Sequence, residues 1–157
     1  MAYQKLQVGT GIAVVPSDTI DIPAVSGPVV DSTMSQVPPS TSTVVDSTQD
    51  FTAIQGLVGS PIVIGTSIAR VATVASATSI TLDAAIAGTA AVGYKIYAKD
   101  SNPGCVLYVG NTGNLRVLTS SNADLTFVGI PAGSFVPVQV KRVFSTDTTA
   151  TDILALW

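Results

Sequence analysis

The run CVLYVGNTGNLRVLTSSNADLTFVGIPAGSFVPVQVKRVFSTDTTATDILALW, residues 105–157, decides the fold class. Short stretches of alternating apolar and polar residues are separated in it by Gly, Asn, Pro and Asp, the pattern of half-buried strands joined by turns. Five strands fit. Residues 106–109 and 115–118 flank Gly110-Asn111-Thr112-Gly113-Asn114, rich in residue types that tolerate positive φ, so the pair reads as a tight hairpin. Residues 125–130 make a third strand, and Pro131-Ala132-Gly133 supplies a turn in which Pro presets φ at the first central position. Val136, Val138 and Val140 then alternate with Pro137, Gln139 and Lys141, and the slip at Lys141-Arg142 before Val143 marks a bulge. In the last strand Ile153, Ala155 and Trp157 fall on one face and Leu154 and Leu156 on the other, so neither face is polar.

Working outward, the whole chain of 157 residues is 46% hydrophobic and only 11% charged, with a formal net charge of −3. It contains neither Glu nor His. All acidic side chains are therefore Asp, a turn and cap residue more than a helix former, and Val, Thr, Ile and Ser fill the runs between turns. An all-β chain follows. The one helix-like stretch, residues 84–91, is broken by Gly88. So few charges are a weak brake on association, and the apolar content predicts a homo-oligomer whose exposed faces other subunits cover. No apolar run approaches the length needed to cross a bilayer. The seven basic residues are scattered and form no patch for nucleic acid. Lys141 and Arg142 are neighbours but read as a solvated edge.

In chain order, residues 12–15 read as a strand and 18–23 as an extended segment with alternating Ile20 and Ile22. Residues 24–43 shift to Ser, Thr, Pro, Val and Gly with Pro38-Pro39 in the middle, the composition of an extended arm or linker. Val29, Val30 and Met34 make that segment apolar enough to dock on a neighbour, and a strand-poor surface loop of the same subunit is the equal alternative. From residue 44 a second unit begins, with short strands at 62–64, 68–74, 79–82 and 94–98 punctuated by Gly59-Ser60-Pro61, Gly65, Ala77-Thr78 and Gly93. Regular short spacing reads as a meander or small barrel. Residues 100–104, all turn formers, return the chain. The expected architecture is a small antiparallel β-sandwich or barrel from residues 1–23 plus 103–157, an arm over 24–43 and an inserted β unit over 44–102.

The pattern offers little to catalysis. Without His and Glu, the commonest general base and the usual paired-carboxylate site are missing, and no GxSxG or SxxK run marks a serine nucleophile. Asp18/Asp21 and Asp46/Asp50 are the best metal candidates, yet neither has the alternating carboxylates of a calcium loop, and caps or turns explain them. Gly9-Thr10-Gly11 lacks the third glycine and the helix of a nucleotide fingerprint. The single Cys105 excludes an intrachain disulfide and reads as a small buried residue. The residues 1–11 carry no secretory pattern, so synthesis in the cytoplasm is expected. The expectation is a non-enzyme with no cofactor and no metal.

The runs LYVGNTGNLRV (107–117), LTFVGIPAGSFVPVQVKRV (125–143) and TTATDILALW (148–157), with GIAVVPSDTIDIP (11–23), resemble small tailed-phage virion proteins of the capsid decoration and head-spike base type. The resemblance covers the last third closely and implies a structural part of a particle on the phage head surface. Its partners would be copies of itself, in a trimer or pentamer, and the major capsid protein or other virion proteins. The apolar patterning, apart from the resemblance, gives Val29, Val30, Met34, Leu154, Leu156 and Trp157 as the expected contact residues, with Trp157 either packing between protomers or closing the core of its own subunit. The expected role is a capsid decoration or cement protein that bridges capsomers. The alternatives are the base of a head spike or fibre and a carbohydrate-binding module for host attachment, the last with aromatic residues at only 6% of the chain.

Overall fold

The computed structural model describes residues 9–23, 27–35, 40–87, 92–99 and 102–157. They form twelve strands and, among the described residues, no helix. The chain divides into two units, one from residues 1–25 with 102–157 and one from residues 26–101.

The first unit is a six-stranded antiparallel sheet. Its strands are β1 (Gly11–Ala13), β8 (Cys105–Asn111), β9 (Gly113–Thr119), β10 (Asp124–Ile130), β11 (Ser134–Val143) and β12 (Thr151–Leu156), in the order β1-β12-β8-β11-β9-β10. Period-two alternation sorts the side chains: Leu107, Val109, Leu115, Val117, Val136, Val140, Ile153 and Ala155 are buried in one cluster. Each fully buried aliphatic side chain of this size contributes about 1.5–3 kcal/mol relative to exposure. The extended segment before residue 24 joins the same core, with Ile22 buried among these residues and its N–H donating to the Lys141 carbonyl at 2.8 Å.

The expected hairpin over residues 106–118 is not formed. β8 and β9 are consecutive in sequence, but β11 lies between them. The first half of β11 pairs with β8, Val136 opposite Leu107, and the second half with β9, Val143 opposite Val117. Two register shifts let one strand serve both neighbours, and the second falls between Val140 and Arg142, where the alternation slips. Gly110 and Gly113 do not take positive φ. At Gly113 the requirement is close approach: a Cβ there would lie 2.3 Å from the Ala150 nitrogen. The Asn114 carbonyl accepts from the N–H groups of Thr149 and Ala150 at 2.9 and 3.0 Å, so this corner is tied to the segment before β12.

The second unit has its own sheet and core. Its strands are β2 (Pro28–Thr33), β3 (Ser40–Val45), β4 (Pro61–Ile64), β5 (Ser67–Ser76), β6 (Ser79–Ala87) and β7 (Gly93–Tyr97), in the order β2-β7-β4-β5-β6-β3 with every pairing antiparallel. Val44, Phe51, Ile62, Val71, Ile80, Tyr94 and Ile96 fill its centre. The arm expected over residues 24–43 is corrected here. Its residues 28–33 and 40–43 are strand, because Val30 and Met34 are the inward positions of an amphipathic segment and lie 4% exposed in this core. Pro38-Pro39 falls outside the described residues. The helix-like stretch is also corrected: residues 84–87 complete β6, while 88–91 lie outside the described residues.

Candidate interaction surface

The C-terminal strand is apolar on both faces, and each face has a different fate. Ile153 and Ala155 point into the core, and Trp157 packs against that same cluster with its Nε1 donating to the Asn102 Oδ1 at 3.3 Å. Trp157 thus closes its own unit. Leu154 and Leu156 point the other way. Leu154 stands opposite Ala13 on β1 and opposite Tyr108 on β8, and Tyr108 in turn stands opposite Phe135 on β11. The result is a four-strand row, Ala13–Leu154–Tyr108–Phe135, on the outer face of the sheet. Phe135 is 58% exposed and Leu154 39% exposed. Leu156 and Val106 are half-buried and opposite each other in the next row. None of these six side chains carries a charge. The rings of Tyr108 and Phe135 meet edge to face, 5.4 Å apart at 63°.

Of the arm residues expected at an interface, Val29 alone is exposed, at 49%. Val30 and Met34 are not available to a partner, since both are core residues of the second unit. Among the described residues, four more exposed large apolar side chains stand outside the expected contacts: Val58, Leu125, Val128, 80% exposed on β10, and Phe135, where nearby Pro137 masks the alternation of β11. The pairing of Tyr108 with Phe135 depends on β11 inserting beside β8, which no local pattern announces.

The carboxylates of both metal candidates are committed to structure. Asp18 accepts from the Thr146 N–H at 2.9 Å and the Thr146 hydroxyl at 2.8 Å, and these bonds hold its carboxyl down at about 2. Asp21 binds Arg142, whose Nη2 and Nε lie 2.6 and 2.7 Å from one carboxylate oxygen. Arg142 is therefore half-buried in an ion pair that fastens residues 18–22 to β11, in place of the solvated edge charge expected there. Asp50 closes a local turn with Thr52. Asp46 is buried and accepts from the Ser32 hydroxyl at 2.6 Å, from Thr48 N–H and hydroxyl at 2.9 and 2.6 Å, and from the Tyr94 hydroxyl at 2.9 Å. Burial pushes this carboxyl up, and the hydrogen bonds outweigh it and bring it below the ordinary value. Among the described residues, no three of His, Cys, Asp or Glu stand close enough to hold a metal ion together.

Cys105 is buried, with its thiol donating to the Val140 carbonyl at 3.1 Å, and burial pushes it up to about 12. Arg116 makes ion pairs with Asp124 at 2.8 Å and Asp147 at 3.5 Å, and its guanidinium lies 4.6 Å from the Phe144 ring centre. A hollow of about 390 Å³ in the second unit is lined by Phe51, Ile54, Leu57, Val58 and Val74 among others. It is shallow and carries no group of evident chemistry. No protein-family model, no curated protein and no solved structure matches the chain.

Proposed function

We propose that the chain is a non-catalytic structural protein of a tailed-phage particle, a capsid decoration or cement subunit that works with copies of itself and the major capsid protein on the head surface. The observation that carries this reading is the uncharged row Ala13–Leu154–Tyr108–Phe135 on the outer face of the first unit. An apolar sheet face of this kind binds by burying area against another preformed surface and needs no chemistry at the contact. A subunit that bridges neighbouring capsomers strengthens a shell because that area must be re-exposed when they separate. At roughly 25 cal/mol per Å² of apolar surface, a few hundred Å² supplies several kcal/mol before association costs are subtracted, and repetition around a shell multiplies it.

The alternative roles, a base for a head spike or fibre and a glycan-binding attachment module, are separated by the same test. Sugar platforms use coplanar exposed rings, whereas the edge-to-face Tyr108–Phe135 pair offers two tilted ones. Particles stripped of the protein are to be incubated with wild type and with Phe135→Ser/Leu154→Ser, followed by sedimentation and electron cryo-microscopy. Wild type rebinding between capsomers, with attachment lost in the double variant, is the expected result. Density confined to vertices assigns the spike base instead. Tight binding to a glycan array with no affinity for particles overturns the structural reading.

A further inference from the structure

β10 is the free edge of the first unit's sheet, and its composition is that of an interior strand. Four of its residues are Leu125, Phe127, Val128 and Ile130, yet none of the strand is buried: Val128 is 80% exposed and Leu125 39%. Leu125 and Phe127 lie opposite Val117 and Leu115, so they sit on the core face but overhang it. Asp124 and Thr126 lie on the other face, opposite Leu118 and Arg116.

The hydrogen bonds of β9 fix which main-chain groups of β10 are free. The Arg116 carbonyl accepts from the Phe144 N–H at 2.9 Å, and the Arg116 N–H donates to the Thr148 hydroxyl at 3.1 Å, so both groups of Arg116 point away from β10. The Thr119 N–H, on the alternate position, donates to the Ala123 carbonyl at 2.9 Å. By the alternation of an antiparallel ladder, Leu125 and Phe127 bond to β9, while Asp124 and Thr126 turn their N–H and C=O groups to the open edge. Edges are ordinarily blunted by Lys, by Pro or by bulges. β10 contains no Lys and no Pro, and its one charge, Asp124, is already neutralised by Arg116. A bulge does occur, between Phe127 and Ile130 with Gly129 at φ +64°, but it lies at the far end and leaves residues 124–127 regular.

We propose that two copies of the chain join edge to edge through β10, antiparallel about a two-fold axis at Thr126, a contact that rests on the reading of the chain as a self-associating subunit. The occupant follows from complementarity. An open row of N–H and C=O groups is matched by an extended strand, and a two-fold axis at Thr126 makes the strand its own match. In that register Thr126 faces Thr126, a favourable cross-strand pair, and Leu125 faces Phe127 of the second copy, joining the two overhanging apolar faces. Asp124 faces Val128 of the second copy, so no like charges meet. The outward N–H and C=O groups of Thr126, which lies in the regular stretch, are both paired by their copies. The opposite edge of the same sheet, β1, offers only three residues.

The register makes a sharp test, because Thr126 alone faces itself. Paired residues of this type have Cα atoms about 5.5 Å apart, within disulfide range. Thr126→Cys in the full chain, with Cys105 buried and silent, is to be oxidised with glutathione beside Ser121→Cys, an exposed control in the β9–β10 turn. The expected result is rapid, near-complete disulfide dimer for Thr126→Cys and slow, partial dimer for the control. Thr126→Pro removes an outward N–H without touching the β9 ladder, and light scattering should show the dimer dissociation constant raised about tenfold or more. Equal cross-linking of the two Cys variants overturns the contact, and this arm decides alone if Thr126→Pro fails to fold by circular dichroism. A trimer or pentamer indifferent to both substitutions overturns the edge contact and leaves self-association standing. A chain monomeric at micromolar concentration, with no cross-linking, overturns both.

Discussion

Replacing Asp46 by Ala removes the acceptor on which three elements of the second unit converge: β2 through Ser32, the turn after β3 through Thr48, and β7 through Tyr94. The Tyr94 side chain is fully buried, and leaving its hydroxyl without an acceptor costs about 1–3 kcal/mol. Ser32 is half-buried and Thr48 borders solvent, so water recovers much of their loss and the two together add about 1 kcal/mol. The carboxylate's own desolvation, relieved by the substitution, offsets part of this. The sum places Asp46→Ala about 2–3 kcal/mol below wild type. Asp46→Asn keeps the volume but aims an amide at donors, about 2 kcal/mol, and Tyr94→Phe deletes one donor and leaves the carboxylate three, about 1 kcal/mol. Urea unfolding followed by hydrogen exchange, read on peptides from residues 27–99, measures these values where they arise. Tyr94→Phe costing as much as Asp46→Ala, or Asp46→Ala falling within about 0.5 kcal/mol of wild type, would refute the reasoning.

Acid should loosen the first unit in a defined window. Asp18 titrates at 3.8 when unfolded and at about 2 when folded, so its contribution is present above pH 3.8 and lost as pH falls toward 2; exchange protection of residues 14–22 should follow that course, and Asp18→Asn should flatten it. Asp46 is lowered in the same direction, so the second unit should also weaken below pH 3.8, with Asp46→Asn insensitive there. Trp157→Ala should cost about 2 kcal/mol, less than a fully buried aromatic because the ring is only half-buried. It should lower the melting temperature of the first unit without changing the subunit's dissociation; a weakened oligomer with unchanged melting would place the ring between protomers instead.

The all-β class was legible because alternation and turn residues are local signals, and every strand expected in the last third is present. What misled was what those signals leave out. Gly110-Asn111-Thr112-Gly113-Asn114 has the composition of a hairpin turn, but composition does not distinguish a glycine needed for positive φ from one needed for backbone approach, and Gly113 is the second kind. Pairing is a long-range property: β11 inserts between β8 and β9, and its pairing with β8 sets Phe135 opposite Tyr108. The sequence points Val30 and Met34 to an arm because Ser, Thr and Pro around them dilute the alternation that marks β2. Leu154 was found on the exposed face because period two suffices for a terminal strand. Trp157, by the same rule, shares its face with Ile153 and Ala155.

The pairing of β1 with β12 also decides how the first unit carries tension. Trp157 exchanges main-chain bonds with Thr10, and Gly11 stands opposite Leu156. Thr10 and Trp157 therefore lie together at one corner of the sheet. A pull between Thr10 and Trp157 loads these bonds one after another, like a zipper, where a pull along the length of two strands would load them all at once. β1 is only three residues long and would peel first, at low force, leaving the paired interior of β8, β9 and β11 unloaded. Opposed pulls along the lengths of β8 and β11 meet that second geometry, with many bonds sharing the load. The corner near Trp157 is thus the compliant point of the unit.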